Sequence, residues 1–132
     1  MVIPDTQNYR GGGCENTPES AEPVTNPGLE AQISWILSER ERENIVFVSH
    51  VGDITSRNRR EEWEIASAEM NRLAALVPFS VVPGNRDMTP EGDTTRFEEF
   101  FAADRFAQFP WYLKDDPSPG GNRIPGIGAR IF

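Results

Sequence analysis

Four oxygen-bearing side chains follow strand-like apolar runs, and these are the residues of this sequence best suited to chemistry. They are Asp5 and Gln7 after the first run, Asp53 after the second and Asn85 after the third. Carboxylate and amide oxygens suit divalent cations such as Mg²⁺, Mn²⁺, Fe or Zn²⁺. Two such ions held by a bridging carboxylate polarise a phosphoester and lower the pKa of a shared water. If the three runs are neighbouring strands, the four side chains converge on one rim, where we predict a metal site.

A simpler interpretation applies to each of these residues taken singly. Asp5 and Asn85 also suit turns, and Asp53 could cap the loop that leads into the following helix. The occurrence of all three at strand ends favours the metal site. His50, the single histidine of the chain, lies on the second run, where we expect it to pack or to make a structural hydrogen bond.

The second run, Ile45–His50, predicts the central strand. Because its apolar character is nearly unbroken, we expect it to be buried on both faces, with Gly52 forming a tight turn before Asp53. Shorter strands are predicted at residues 1–4 and 79–83. The predicted order is strand, loop, helix, strand, helix, strand and helix, which indicates a mostly parallel, layered α/β domain.

Two longer helices are predicted from apolar residues spaced three and four apart. The first runs from Leu29 to about Glu43. The second begins near Asn58 and Glu61, which resemble a capping pair, and is stopped by Pro78. It carries a stripe that we expect in the core, formed by Trp63, Ala66, Met70, Leu73 and Val77. A further capping pair with a short aromatic face is predicted from Thr95, Phe97, Glu98, Phe100 and Phe101.

Composition narrows the classes of function. The net charge of −8, from 13 basic and 21 acidic residues, argues against general nucleic-acid or anionic-membrane binding. Cys14 is the one cysteine, which excludes an intrachain disulfide and a cysteine-based zinc site, and nothing nearby suggests a catalytic thiol.

Two segments of the chain are predicted to lack regular structure: residues 10–27 form a loop-rich insert, and residues from about 104 to 132 form an irregular tail. Since no membrane span or signal peptide is recognised, a cytoplasmic protein is the default expectation.

Three motifs, in this order and spacing, resemble those of the calcineurin-like metallophosphoesterases: Asp5-Thr6-Gln7, Gly52-Asp53 and Gly84-Asn85-Arg86-Asp87. Members of that family carry Asp-x-His or Asp-x-Gln, then Gly-Asp, then Gly-Asn-His-Asp/Glu. The resemblance covers nearly the whole chain, including Pro110-Trp111-Tyr112. It implies an αββα sandwich that hydrolyses phosphoesters with two divalent ions (Mn, Fe, Zn or Mg). By position, it implies that Asp5 and Gln7 ligate the first metal, Asp53 bridges both, and Asn85 ligates the second.

Two departures from the family pattern bear on catalysis. Arg86 stands where the family has a histidine that contacts the phosphate and can protonate the leaving group. An arginine can bind a phosphoryl oxygen but is not a general acid at neutral pH. The family's later histidine ligands, including a Gly-His-x-His, have no counterpart. We therefore expect a truncated αββα sandwich with one sheet incomplete and uncovered, and the next strand beginning within Ile124–Phe132.

Three functions follow from these observations. The first is a metal-dependent phosphoester hydrolase that uses Asp53, Asn85 and Arg86 on a phosphoester substrate, with little turnover by this chain alone. The second is a non-catalytic relative, truncated or degenerate, that self-associates through the uncovered sheet or needs a partner chain. The third is an α/β module that binds a small ligand without metal.

Overall fold

The computed structural model describes residues 1–110, whose strands and helices follow the predicted order. The elements are β1 (Val2–Ile3), α1 (Pro27–Glu39), β2 (Val48–His50), α2 (Arg60–Ala74), β3 (Phe79–Val81), a 3₁₀ turn (Asn85–Asp87), α3 (Thr95–Phe100) and α4 (Ala103–Phe106). The short helix α4 occupies the start of the segment expected to be irregular. The predicted features at Trp111-Tyr112 and Ile124–Phe132 lie outside the described residues.

The three strands form one parallel sheet in the order β1-β2-β3. β1 pairs with β2 through Val2 with Ser49 and Ile3 with His50, and β2 pairs with β3 over three positions. This confirms the predicted α/β class and the parallel arrangement. In a parallel sheet the carboxyl ends of all strands lie on one edge, so the loops after β1, β2 and β3 emerge together.

One face of the sheet is buried and the other is open within residues 1–110. Ile3 and Val81 are 2% and 5% exposed, and they belong to the core that also contains the apolar residues of α1 and α2. On the opposite face Val2 is 60% exposed. Beside it Ser49 and Ser80 are half-buried and joined by an Oγ–Oγ hydrogen bond of 3.1 Å. We call this second surface the open face.

The prediction that the second run is buried on both faces is wrong. β2 covers only Val48–His50, and Val46 and Val51 on either side of it are 71% and 51% exposed. An apolar run shows that its residues can be buried, but not how many layers cover them. Here α1 and α2 pack against the face that carries Val48.

Helix α1 is shorter than predicted at its carboxyl end. Asn26 caps its start, because its Oδ1 accepts a hydrogen bond of 3.1 Å from the backbone N of Leu29. The helix ends at Glu39 rather than about Glu43, and the chain then turns through Asn44 in the left-handed region at φ 51°. The charged residues after Glu39 supply no apolar side chain that could hold a further turn against the core. The buried positions of α1 are Leu29, Ile33 and Ile36.

Asn58 and Glu61 do not form the predicted capping pair of α2. The helix begins at Arg60, so its third residue is Glu62. The buried carboxylate of Glu62 accepts hydrogen bonds from the backbone N of Arg59, the residue before the helix, at 3.4 Å and from that of Arg57 at 3.0 Å. Glu61 is exposed. The spacing pointed to the right type of cap but to the wrong glutamate, since the helix starts later than the sequence pattern indicates.

The apolar stripe predicted for α2 is confirmed. Its members are each at most 1% exposed: Trp63, Ala66, Met70, Leu73 and Val77. The helix already ends at Ala74, four residues before Pro78. Trp63 packs edge-on against Phe97 of α3, with 6.0 Å between ring centroids, so the predicted aromatic face meets the core. No helix within residues 1–110 is long and apolar enough to cross a membrane.

The insert loop, residues 10–26, has its own hydrogen-bonded structure. Arg10 and Thr25 exchange two backbone hydrogen bonds of 2.9 Å, and the backbone N of Gly12 donates to the carbonyl of Glu22 at 2.6 Å. Three consecutive glycines, Gly11 to Gly13, have positive φ and let the chain turn inside this closed loop. The loop is therefore held at its base and returns the chain to α1.

Candidate functional site

The structure brings the three predicted loops together around Asp53. Its backbone carbonyl accepts a hydrogen bond of 3.1 Å from the backbone N of Thr6, in the loop after β1. Its carboxylate Oδ1 accepts a hydrogen bond of 3.0 Å from the backbone N of Arg86, in the turn after β3. Asp53 thus contacts both neighbouring loops. Because Thr6 lies between Asp5 and Gln7, and Arg86 directly follows Asn85, these two bonds bring the other predicted ligands to the same edge of the sheet.

Within residues 1–110, all but one of the side-chain oxygens of the four predicted ligands are free of hydrogen bonds. Asp5 and Asn85 are exposed and Gln7 is half-buried, and within the described residues none of these three side chains makes a hydrogen bond. Only Oδ1 of Asp53 is engaged there. Residues 1–110 contain no group of three or more His, Cys, Asp and Glu side chains placed to hold a metal ion. The available donor set therefore consists of two carboxylates and two amides, all oxygen donors of the kind that Mg²⁺ and Mn²⁺ accept.

Asp53 has a backbone conformation that residues other than glycine rarely adopt. Its φ is 50° and that of Gly52 is 100°, so two consecutive residues have positive φ two and three positions after the end of β2. Gly84 lies against it so closely that a Cβ on Gly84 would be 2.1 Å from Asp53 Oδ1 and 2.2 Å from its backbone N. The loops after β2 and β3 are therefore packed backbone to backbone, which only a glycine at position 84 allows.

Asp87 is the residue of the site to which sequence reasoning gave no role. It is 0% exposed, and its Oδ2 accepts backbone hydrogen bonds of 2.9 Å from both Ile54 and Gly84. Its Oδ1 accepts from the backbone N and the Oγ1 of Thr55, at 2.8 and 2.9 Å. Burial raises the pKa of this carboxyl group, while the hydrogen bonds oppose the rise. Asp87 holds the residues after Asp53 to the turn that carries Asn85.

The signal that could have pointed to Asp87 is its position as the fourth residue of the Gly84–Asp87 motif. A carboxylate just past a strand end, preceded by exposed polar residues, can turn inwards and collect backbone N–H groups. The sequence does not reveal the donors themselves, because Ile54 and Thr55 are 33 and 32 residues away.

His50 is structural, as predicted. Its Nδ1 accepts a hydrogen bond of 3.2 Å from the backbone N of Gly52, so its Nε2 carries the proton and donates to Thr6 Oγ1 at 3.0 Å. Thr6 Oγ1 in turn donates to the carbonyl of Ile54 at 3.2 Å. Burial lowers the pKa of His50 to about 4, so the ring is neutral at pH 7. With both nitrogens engaged, His50 contributes no metal ligand.

Further hydrogen bonds fix the first loop to the second. Tyr9 is fully buried and its hydroxyl donates to the carbonyl of Ile54 at 3.2 Å. Ser56 Oγ donates to the carbonyl of Gln7 at 2.6 Å. These bonds hold the backbone of Gln7 and leave its side chain free, which is the arrangement that a positioned ligand requires.

Arg86 lies at the rim, with its side chain 45% exposed. Its Nη1 donates to the carbonyl of Ser56 at 3.2 Å and contacts Glu15 Oε2 of the insert loop at 3.4 Å. Cys14, next to Glu15, is fully buried, and burial raises the pKa of its thiol. This supports the expectation that Cys14 is not a catalytic nucleophile.

A separate apolar groove of about 370 Å³ lies between β1 and α1. The described residues of its wall include Val2, Trp35 and Ile36, and none of them has an acidic, basic or histidine side chain. It does not contain Asp5, Asp53 or any other predicted site residue, so it is not the candidate site.

Comparison with known proteins agrees with the motifs. The family model for calcineurin-like phosphoesterases matches residues 1–127. The uncharacterised protein YvnB of Bacillus subtilis (strain 168) is 31% identical over 81 residues, which cover 59% of this chain and 6% of YvnB. This chain therefore corresponds to a small part of the length of that relative. No solved structure matches the chain significantly.

Proposed function

This chain belongs to the calcineurin-like phosphoesterase family, and from that premise we propose that it is a metal-dependent phosphoester hydrolase. The observation that carries the proposal is the position of Asp53, which is hydrogen-bonded to the loops after both β1 and β3. A bridging ligand is needed where the three strand-end loops meet, and this is the position of the Asp53 carboxylate.

The free oxygens at this edge fit a divalent-ion site. Asp5 and Gln7 would hold one ion, Asn85 the other, and Asp53 would be shared between them. When bound, two Mn, Fe, Zn or Mg ions supply positive charge that polarises the phosphoryl oxygens and lowers the pKa of water. With two carboxylates in the set, we expect modest metal affinity and correspondingly low activity of this chain by itself.

The chain's own residues orient the substrate around that centre. Asn85 offers an amide N–H to a phosphoryl oxygen, and Arg86 offers its guanidinium. Because the guanidinium stays charged at neutral pH, Arg86 stabilises negative charge but gives no proton to the leaving group. The leaving group must then take its proton from water, which favours substrates with acidic leaving groups.

The test combines metal binding with hydrolysis. Calorimetric titration with Mn²⁺ should show binding that weakens at least tenfold in Asp53→Asn, and hydrolysis of bis-p-nitrophenyl phosphate should fall by a similar factor or more. Glu91→Gln is the matched control, since Glu91 is an exposed acid four residues beyond the Asn85–Asp87 turn, and it should leave both measurements unchanged. Equal Mn²⁺ affinity and activity in wild type and Asp53→Asn would refute the proposal.

The open face favours a second candidate function, in which the sheet docks another copy of the chain or a partner. Val2 and Val51 are 60% and 51% exposed beside the half-buried Ser49 and Ser80. A mass measured by light scattering that rises with concentration, and that Val51→Lys returns to the monomer value, would support this candidate. A monomer at all concentrations would exclude self-association.

A further inference from the structure

Arg86 is held at one end of its guanidinium and free at the other. Nη1 faces both the carbonyl of Ser56, at 3.2 Å, and Glu15 Oε2, at 3.4 Å. Within the described residues Nε and Nη2 make no hydrogen bond. The Nε–Nη2 edge of an arginine is a planar pair of donors that matches two oxygens of one phosphoryl group.

The insert loop is built so that Glu15 lies beside Arg86. Asn16, the next residue, donates from Nδ2 to Asn8 Oδ1 at 2.8 Å, and Asn8 directly follows Gln7. On the other side of Glu15, Arg59 donates from Nη1 to the carbonyl of Gly12 at 2.8 Å. The loop is thus attached to both the first loop of the site and the start of α2, which keeps the Glu15 carboxylate near the rim.

We propose that Glu15 is a specificity-determining residue that favours singly charged phosphodiesters over doubly charged phosphomonoesters at Arg86. This proposal rests on the proposed function of the site. Glu15 and a bound phosphoryl group would face the same guanidinium, so their negative charges repel each other. The repulsion is proportional to the ligand's charge, and a dianion therefore loses more affinity than a monoanion.

The expected size of the effect is modest and depends on salt. One additional negative charge about 6 Å from a carboxylate, in a water-like dielectric, changes affinity by about threefold. The effect should shrink at about 1 M salt, where the Debye length is about 3 Å. A purely structural role of Glu15 would alter both ligands equally and would not respond to salt in this way.

The experiment is an NMR titration of the Mg²⁺-loaded protein at pH 8 and low salt. Phenyl phosphate serves as the dianion and methyl phenyl phosphate as the monoanion, with the Arg86 Nε–H signal and backbone amides as readouts. In Glu15→Gln we expect the ratio of dianion to monoanion affinity to rise about threefold relative to wild type. Glu19→Gln is the matched control, because Glu19 is an exposed glutamate of the same loop, and it should leave the ratio unchanged.

The outcomes separate this inference from the proposed function. If Glu15→Gln leaves the ratio unchanged while Arg86→Gln weakens both ligands, Glu15 does not determine specificity, and the phosphoester site stands. If wild type binds neither ligand with Mg²⁺ present, both the inference and the proposed function are overturned. A raised ratio in Glu15→Gln that disappears at 1 M NaCl establishes the role of Glu15.

Discussion

Substitution of Gly84 by alanine tests the packing on which the candidate site depends. The φ of Gly84 is −93°, which any residue adopts, so the substitution causes no backbone strain of its own. The new Cβ would instead lie 2.1 Å from Asp53 Oδ1 and 2.2 Å from Asp53 N, where ordinary contacts begin at 3.4 Å. To remove this overlap, the loops after β2 and β3 must separate by on the order of 1 Å. A displacement of that size lowers the catalytic rate by about 100-fold.

The stability of the protein should fall as well. Overpacking a well-packed interior costs about 1–3 kcal/mol, and because the contact here includes backbone, we expect a value near 3 kcal/mol. Urea denaturation followed by circular dichroism measures this change, and Mn²⁺ titration with bis-p-nitrophenyl phosphate hydrolysis measures the site. Metal affinity and activity should fall even under conditions in which Gly84→Ala is fully folded.

Gly28→Ala is the matched control for Gly84→Ala. Gly28 is the second residue of α1, and a Cβ there would make an ordinary contact of 3.6 Å with Asn26 Oδ1. We expect it to stabilise the protein by about 0.5 kcal/mol through the lower entropy of the unfolded chain. If Gly84→Ala matched wild type in stability, metal binding and hydrolysis, the close approach of Gly84 to Asp53 would be refuted, and with it the described assembly of the site.

Two further predictions concern buried titratable groups. Asp87→Asn turns one acceptor oxygen into an amide donor, so either the backbone N–H of Thr55 or those of Ile54 and Gly84 lose their acceptor. Urea denaturation should show a loss of about 3 kcal/mol, and Mn²⁺ affinity should fall; unchanged stability would contradict the role of Asp87. The pKa of His50 is about 4 in the folded protein and 6.5 in the unfolded chain. This difference predicts that about 3 kcal/mol of folding stability is lost as the pH falls from 6.5 to 4. In that range His50 binds its proton in the unfolded chain before it does so in the folded protein, which favours unfolding. The pKa of Asp87 is raised in the folded protein, so protonation of Asp87 at low pH favours folding and opposes the effect of His50. Denaturation across this range should show a weaker pH dependence in His50→Gln than in wild type.

The convergence of the candidate ligands could be predicted from the sequence because it needs only local information. Asp5, Asp53 and Asn85 each follow an apolar run, and parallel strands bring such positions to one edge whatever the details of packing. The same local patterns correctly placed the apolar stripe of α2 in the core. The order of the three strands and of α1, α2 and α3 followed from apolar runs, apolar spacing and capping residues, whereas α4 was not predicted.

The remaining features depend on contacts between residues far apart in the chain. The hydrogen bonds of Asp87 reach back 32 and 33 residues, and the contact between Glu15 and Arg86 spans 71. No local pattern specifies such partners. The exposure of Val46 could not be predicted for a related reason, since an apolar residue is buried only where another layer of the structure covers it.

The weak attachment of β1 has a consequence for how binding would be detected. Within the described residues β1 is joined to β2 by two residue pairs, whereas β2 and β3 share three, and Asp5 and Gln7 follow β1 directly. A short edge strand can open locally at a smaller free-energy cost than global unfolding. A ligand that spans Asp5 and Asp53 would bind only the closed form, so its binding free energy would also hold β1 to the sheet. Occupancy of the site would then appear as slower hydrogen exchange of the amides in the β1–β2 ladder.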